Sequence, residues 1–275
     1  MKKTNINDVS VLIPLRLDSL DRLENLLYVV NYLLRYFDSN VYVLHADKET
    51  HNYVKGLLPK KCNYTFMEDI DPVFHRTYYI NRLYEMTASP ILAIWDADVI
   101  VSPEQVEYSV YSIRKNICEV CFPYDGTFLN VDSILKDMFN SKCYDIEFLN
   151  RNVCKMNRLY NNIQNGGVFF ISRDAFIKSK FEDESFYGWG PEDWNRVEKW
   201  RILGYRIFRA KGVLYHLCHS RDINGNFINF FQRKNCHSIL ATTQVSSLEM
   251  LSNKSISVET HHGLISDCLY SLIDD

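Results

Sequence analysis

The sequence predicts an α/β fold with a mostly parallel central sheet, and three observations carry that prediction. Short apolar runs of strand length alternate with segments of helical spacing through the first half of the chain. The connections between those runs are long enough to hold the helical crossovers that parallel strands require. The composition is that of an ordinary globular chain: 275 residues, 47% hydrophobic, 24% charged, net charge −3. This length suits one large domain, or one domain with an appendage.

The elements follow in order. "VSVLIPL" (Val9–Leu15) is a compact apolar run ending near a proline and reads as a buried strand. "DSLDRLENLLYVVNYLLRYF" has helical spacing, with Asp18 or Ser19 placed to cap it. "NVYVLHA" is the next strand, "KETHNYVKGLL" the next helix, "CNYTFME" a third strand and "RTYYINRLYEMT" an amphipathic helix. "PILAIWDADVI" reads as one apolar strand running into acids. Residues 131–159 are rich in helix formers and predict one or two inserted helices. "NGGVFFIS" is a strand opened by two glycines, and "RDAFIKSKF" a short helix. "PEDWNRVEKWRILG" is a helix with Pro191 at its first position and Gly204 at its end. "YRIFRA" and "GVLYHL" are short strands. The expected division is a main domain over 1–235 and a helical appendage over 236–275 packed on it. In parallel α/β sheets ligands sit beyond the carboxyl ends of the strands, where both "IPLR" and "WDAD" fall.

Several function classes are excluded at this stage. The slight negative charge argues against a nucleic-acid partner, whose phosphates need a basic face. No run approaches the roughly 18 apolar residues of a membrane span, and the first residues lack a signal-peptide core, so a cytoplasmic location is expected and peripheral membrane association stays open. The eight cysteines are scattered. Cys118 and Cys121 form a lone CxxC, weak as a zinc motif, and reduced thiols buried in strands are expected.

Four constellations carry chemistry. Asp96 and Asp98 lie two apart and would share a face if the strand geometry continued. Paired carboxylates there suit a divalent cation bridging to phosphates, or else a solvated turn or a cap for the helix starting near Pro103. His216 and His219, three apart at a strand end, converge on one ion if the chain turns there, or are one core and one surface histidine. With the acids they would make a mixed oxygen and nitrogen site suited to Mn²⁺. Arg16 and Arg76 stand beside strand ends, as phosphate ligands or as solvated side chains. In "FYGWGPEDWN", Trp189 between two glycines is either a platform for the apolar face of a sugar ring or an ordinary core tryptophan. Glu192 and Asp193 behind Pro191 either oppose a helix dipole or do chemistry.

These stretches, in this order, resemble the GT-A fold glycosyltransferases, a Rossmann-like nucleotide-sugar transferase fold, and in particular the β-1,4-galactosyltransferase family. The resemblance runs over about residues 9–222. It rests on "VSVLIPLR", "FHRTYYIN", "WDADVI", "NGGVFFISRDAF", "FYGWGPED" and "HSRD". "NGG" and the Tyr-His pair are also similar to chondroitin-polymerase-type transferases. By this resemblance Pro14, Arg16 and Arg76 hold the nucleotide, Asp96 helps bind the donor, and Asp98 and His219 ligate the metal. His216 replaces a methionine ligand, Gly167 belongs to the substrate-binding Gly-Gly pair, Trp189 and Glu192 contact sugar, and Asp193 is the general base. The chain departs from the family where Gln164-Asn165 replace an aromatic pair before Gly-Gly, where Trp194 replaces a third acid, and where Ser179-Lys180 replace Asn-Gly.

The resemblance implies a metal-dependent inverting enzyme. It would move a hexosyl unit, of galactose or N-acetylhexosamine type, from a UDP-sugar donor to a saccharide or glycan acceptor hydroxyl in surface glycan synthesis. Mn²⁺ is the expected cofactor, with Mg²⁺ or Co²⁺ as substitutes. The rival reading is a non-catalytic nucleotide-sugar or sugar-binding protein on the same fold. A metal-dependent phosphoesterase would need more ligands in the N-terminal half than "LHAD" supplies.

Overall fold

Strand β1 (Thr4–Leu15) starts earlier than its apolar run, and its last seven residues are all buried. Helix α1 (Leu20–Tyr36) follows after a short turn. The Ser19 side chain caps it by accepting from the Arg22 N–H, as one of the two predicted caps. Its buried face runs through Leu23, Leu26, Val29, Val30 and Leu33, the spacing that places side chains on one stripe. The chain continues through β2 (Phe37–Asp47), α2 (Asn52–Leu57), β3 (Asn63–Glu68), α3 (Arg76–Glu85) and β4 (Ile91–Trp95). In this computed structural model residues 3–50, 52–188 and 190–220 are described. Trp189 and the expected appendage over 236–275 lie outside them, as does the domain boundary at 235.

The central sheet has the order β10-β6-β9-β4-β1-β2-β3, where β6 is Val120–Phe122, β9 Val168–Ser172 and β10 Ile207–Arg209. β1 pairs in parallel with β2 and β4, β2 with β3, and β10 with β6. Only β9 runs against its neighbours β4 and β6, so the sheet is mostly parallel as predicted. β4 is buried at every residue and has no alternation, the signature of a strand covered on both faces.

"PILAIWDADVI" is not one strand. It breaks at Asp96-Ala97-Asp98, and Val99–Ile100 form a new strand, β5, in a second sheet of order β5-β11-β7-β8. There β11 is Leu214–Leu217, β7 Phe128–Val131 and β8 Asn157–Arg158. The two acids therefore sit in a turn between sheets, and period-two strand geometry does not place them. The turn is closed by the Trp95 indole N–H donating to the carbonyl of Val99 at 2.9 Å. The helix after it, α4 (Pro103–Arg114), is capped by Ser102 with a capping box to Gln105, so the acids are not its cap.

The inserted stretch holds two α-helices, α5 (Ser133–Ser141) and α6 (Ile146–Arg151). They are followed by α7 (Arg173–Lys178) and α8 (Glu192–Ile202), with Pro191 at the N-cap of α8, one position earlier than predicted. Gly204 ends α8 with φ +72°, a left-handed turn that glycine adopts without strain. The described cysteines are all free; Cys118 and Cys121 are buried, whereas Cys143 and Cys154 are exposed in the helical insertion, not strand-buried. No helix among the described residues is long and apolar enough to cross a membrane.

Candidate active site

The two sheets meet at a cleft of about 450 Å³. It lies beyond the carboxyl ends of β1 and β4, the position expected for a ligand in such sheets. Pro14, Arg16, Arg76, Asp96, Asp98, Gly167, Glu192, Asp193, His216 and His219 all line it. Every predicted site residue among those described is thus brought together; Trp189 falls outside the description.

The sheet register assembles one corner. β5 pairs antiparallel with β11, setting Val99 opposite His216. The Leu217 N–H donates to the carbonyl of Asp98 at 2.8 Å. This joins the turn after β4 to the strand that carries the first histidine. One ligand atom each from Asp98, His216 and His219 fall within 4.8 Å of one another. Nε2 of His219 is 3.1 Å from Oδ2 of Asp98, and the two imidazole centroids are 5.3 Å apart. Nδ1 of His219 lies 2.6 Å from the carbonyl of Ser220. As the donor to that carbonyl it fixes the ring and leaves Nε2 to face the triad, as in second-shell orientation of metal-bound histidines. Burial opposes ionisation of Asp98, yet His219, His216 and Arg22 outweigh it and hold the carboxyl well below the usual range. Burial lowers the His219 imidazole's pKa and Asp98 raises it, with a net rise. One carboxylate and two imidazoles are a donor set of intermediate softness, which fits Mn²⁺ or Co²⁺ better than Ca²⁺. Among the described residues no other group of three such side chains could hold an ion, and the CxxC pair has no further ligands beside it.

A second part of the lining is a buried charge network. Arg76 donates to Oδ1 of Asp96 from Nη2 at 2.6 Å and from Nε at 3.2 Å, and its Nη1 lies 4.0 Å from Oδ1 of Asp193. Arg196, only 2% exposed, donates from Nη1 to Oδ1 of Asp193 at 2.5 Å. Its other edge grips both oxygens of the buried Glu182 at 2.7 Å. Burial works to raise the pKa of Asp193, but Arg196 and Arg76 overcome it, and the carboxyl stays below its ordinary value. Glu192 has no such brace. Burial first, and the charge of Asp193 second, push its carboxyl up to about 8, and its Oε2 is buried with no hydrogen-bond partner among the described residues. The two adjacent acids of α8 are thus driven in opposite directions, Glu192 up by burial and Asp193 down by Arg196 and Arg76, a pattern typical of chemical sites. Asp96 is raised by burial in spite of Arg76.

The two glycines have separate physical roles. A Cβ on Gly166 would lie 2.5 Å from Oδ2 of Asp193, so only glycine lets that carboxylate approach. Gly167 has φ +80° and its carbonyl accepts from the Asp96 N–H at 2.8 Å. Arg16 is differently placed from the expectation of a free phosphate ligand. It donates from Nε to the Ala46 carbonyl at 3.1 Å, from Nη1 to the Asp71 carbonyl at 2.7 Å, and from Nη2 to Asp69. Much of its donor capacity is spent bracing the cleft wall.

Sequence reasoning missed the charge clamp of Glu182 and Arg196, the need for glycine at 166, and Arg22, which borders the triad from α1. Trp194 lines the mouth of the cleft and is 43% exposed. A sequence signal existed for Arg196, three residues after Asp193 on a helix and hence on the same face. The sequence marks Gly166 only as part of a Gly-Gly pair and does not mark Glu182 at all; the partners of both are set by packing.

Residues 148–221 match the family described as the N-terminal domain of galactosyltransferase. Human β-1,4-galactosyltransferase 4 is 33% identical over 97 residues, 34% of this chain and 28% of the human protein, so the match spans well under half of that relative. Glucosyl-3-phosphoglycerate synthase from Mycobacterium tuberculosis, solved with Mn²⁺, UDP and phosphoglyceric acid, superposes with TM-score 0.52 at 14% identity over 86% of this chain and 78% of its own. A mutant of Drosophila β-1,4-galactosyltransferase 7, solved with manganese, UDP-Gal and xylobiose, gives 0.51 at 14% identity over 84% and 79%. The fold is that of the GT-A glycosyltransferases, and the segment that carries Gly167, Glu192, Asp193, His216 and His219 is similar to the galactosyltransferases.

Proposed function

We propose that the chain is a metal-dependent inverting glycosyltransferase that moves a hexosyl unit from a UDP-sugar to a hydroxyl of a saccharide acceptor. The observation that carries this reading is the presence, in one cleft, of a cation-binding triad and a braced carboxylate. Asp98, His216 and His219 form the triad, and Asp193 lines the same cleft. The structural neighbours bound to UDP and manganese support the donor and the ion.

In this reading Asp98, His216 and His219 would hold Mn²⁺. The bound ion supplies positive charge against the diphosphate that leaves. Asp193 stands as a carboxylate at neutral pH and accepts the proton of the acceptor hydroxyl while that oxygen bonds to the anomeric carbon. The bond from the anomeric carbon to the diphosphate oxygen breaks on the opposite face, inverting the centre. Arg196 and Arg76 fix the position of Asp193, and Gly166 gives it room. Glu192, neutral at pH 7, donates a hydrogen bond to a sugar oxygen. Trp194 offers the acceptor a flat apolar face at the mouth. Galactose or an N-acetylhexosamine as the moved sugar, surface glycans as the product and a cytoplasmic location belong to the same reading.

The test is a screen of UDP-sugars for Mn²⁺-dependent release of UDP, first without acceptor and then with simple saccharides. Asp193→Asn should lose transfer by ~10²–10⁴-fold while binding UDP and Mn²⁺ as the wild type does. Binding of a UDP-sugar with no turnover under any acceptor would instead establish a binding protein on this fold.

A further inference from the structure

The first turn of α1 places a third arginine at the cleft. Nε of Arg22 donates to Oδ1 of Asp18 at 2.7 Å. Its Nη1 lies 3.6 Å from Oδ2 of Asp98, the same oxygen that faces His219. Beyond these contacts its two terminal nitrogens make no hydrogen bond to a described residue, although Arg22 lines the cleft and its side chain is only 21% exposed. The other two cleft arginines named above are more heavily paired. Arg76 is held through Nε and Nη2 by Asp96, with its Nη1 4.0 Å from Asp193 and no hydrogen-bond partner among the described residues, and Arg16 donates to Ala46, Asp69 and Asp71. Among these three, Arg22 is the guanidinium tethered at its Nε with neither terminal nitrogen hydrogen-bonded to a described residue.

A guanidinium held by Nε, with neither Nη atom hydrogen-bonded to a described residue and only a 3.6 Å ion pair to Asp98 at Nη1, is organised for bidentate contact with phosphate oxygens. Its place beside Asp98 adds a second consequence. Its charge lies next to the carboxylate that a divalent cation would use, so Arg22 and the cation compete for one anion. A diphosphate bridging the two cations relieves that repulsion, so each ligand strengthens the other, and such coupling is reciprocal.

We propose that Arg22 binds the diphosphate of the nucleotide donor, and that until the diphosphate arrives it acts as a competing cation on Asp98. The proposal rests on the reading of the cleft as a nucleotide-diphosphate-sugar site. It adds a ligand that neither the Asp-x-Asp nor the His-Ser-Arg-Asp stretch contains.

The experiment is calorimetry on the full chain, wild type against Arg22→Gln and Arg22→Lys, with Mn²⁺ alone and with UDP in saturating Mn²⁺. Arg22→Gln should bind UDP ~10–100-fold more weakly, the loss expected for charge-assisted hydrogen bonds, yet bind Mn²⁺ alone more tightly than the wild type. Arg22→Lys, which keeps the charge and loses the fork, should weaken UDP less and leave Mn²⁺ affinity near the wild-type value. A purely structural role for Arg22 in holding Asp98 would weaken both ligands together, and that result overturns the proposal. So does UDP affinity within about twofold of wild type in Arg22→Gln. If wild-type protein itself binds no UDP with Mn²⁺, the reading of the cleft fails before Arg22 is at issue. Should the glutamine variant not fold, the lysine variant still decides, because unchanged UDP affinity there removes any role for the fork.

Discussion

A methyl group on Gly166 would sit 2.5 Å from Oδ2 of Asp193, so the approach of that carboxylate to the cleft depends on a hydrogen atom at residue 166. Gly166→Ala should therefore push Asp193 away and lower transfer toward the level of Asp193→Asn, with UDP and Mn²⁺ binding retained; initial rates and calorimetry on the same preparations check this. Glu192 offers a pH test. Its carboxyl is raised from 4.5 to about 8 by burial and by Asp193. Between these values the folded protein keeps a proton that the unfolded chain has released, so this group's contribution to stability is present below pH 4.5 and is lost as pH rises toward 8. Glu192→Gln is neutral throughout. Its melting temperature relative to wild type should rise steadily from pH 5 to pH 8, and a constant difference would place an ionised Glu192 in the folded protein at neutral pH.

Helix α8 arranges these residues as a unit. Its first turn presents Glu192, Asp193 and Trp194 to the cleft, and one turn on, Arg196 anchors it inside the protein through Glu182. Removing one partner of a buried ion pair leaves a charge poorly compensated. Glu182→Gln should destabilise the fold by ~3 kcal/mol in urea titration and lower the rate as well, because Arg196 then holds Asp193 less firmly. Trp194 stands at the exposed end of the same turn. Trp194→Ala should raise the acceptor KM by ~10-fold, a loss within the range of stacking contacts, and leave acceptor-independent release of UDP unchanged. A change confined to donor hydrolysis would move Trp194 to the donor side.

At the scale of the molecule, the cleft is a seam between two sheets. The large sheet contributes the ends of β1 and β4, and the small one contributes β11 with His216. The Leu217 N–H to Asp98 hydrogen bond ties the turn after β4 to β11, and the Asp96 N–H to Gly167 bond extends the β4–β9 pairing up to the seam, both 2.8 Å. Asn25 of α1 adds a third tie, donating to the carbonyls of Leu217 and Cys218 at 3.2 and 3.3 Å. Because the triad joins the turn after β4 to the chain beyond β11, an ion bound there stabilises the whole fold. Mn²⁺ at a hundred times its Kd should add about 2.7 kcal/mol by linkage, read as a rise in melting temperature that His219→Ala abolishes. His216→Met should keep the response to Mn²⁺ and lose more of the response to Mg²⁺, since a thioether is a poor donor to hard ions.

The alternation of strands and helices, a cap at Asp18 or Ser19, the mostly parallel sheet and most of the residues that meet in the cleft are readable from the sequence alone. These were legible because apolar period, capping residues and strand ends are local properties, and because Asp98, His216, His219 and Asp193 stand in short motifs. Only the tertiary structure decided that "PILAIWDADVI" breaks into strands of two sheets, since a turn at Asp96-Ala97-Asp98 interrupts an apolar pattern that reads as continuous. Pairing likewise reverses β9 between β4 and β6, a direction no periodicity encodes. Packing also commits Arg16 to the wall, clamps Arg196 to Glu182, demands glycine at 166 and turns Arg22 toward Asp98. Each of these joins residues that only the sheet order and the crossing of helices over it bring within a few ångströms, so their charges and volumes have no meaning for one another until the chain has folded.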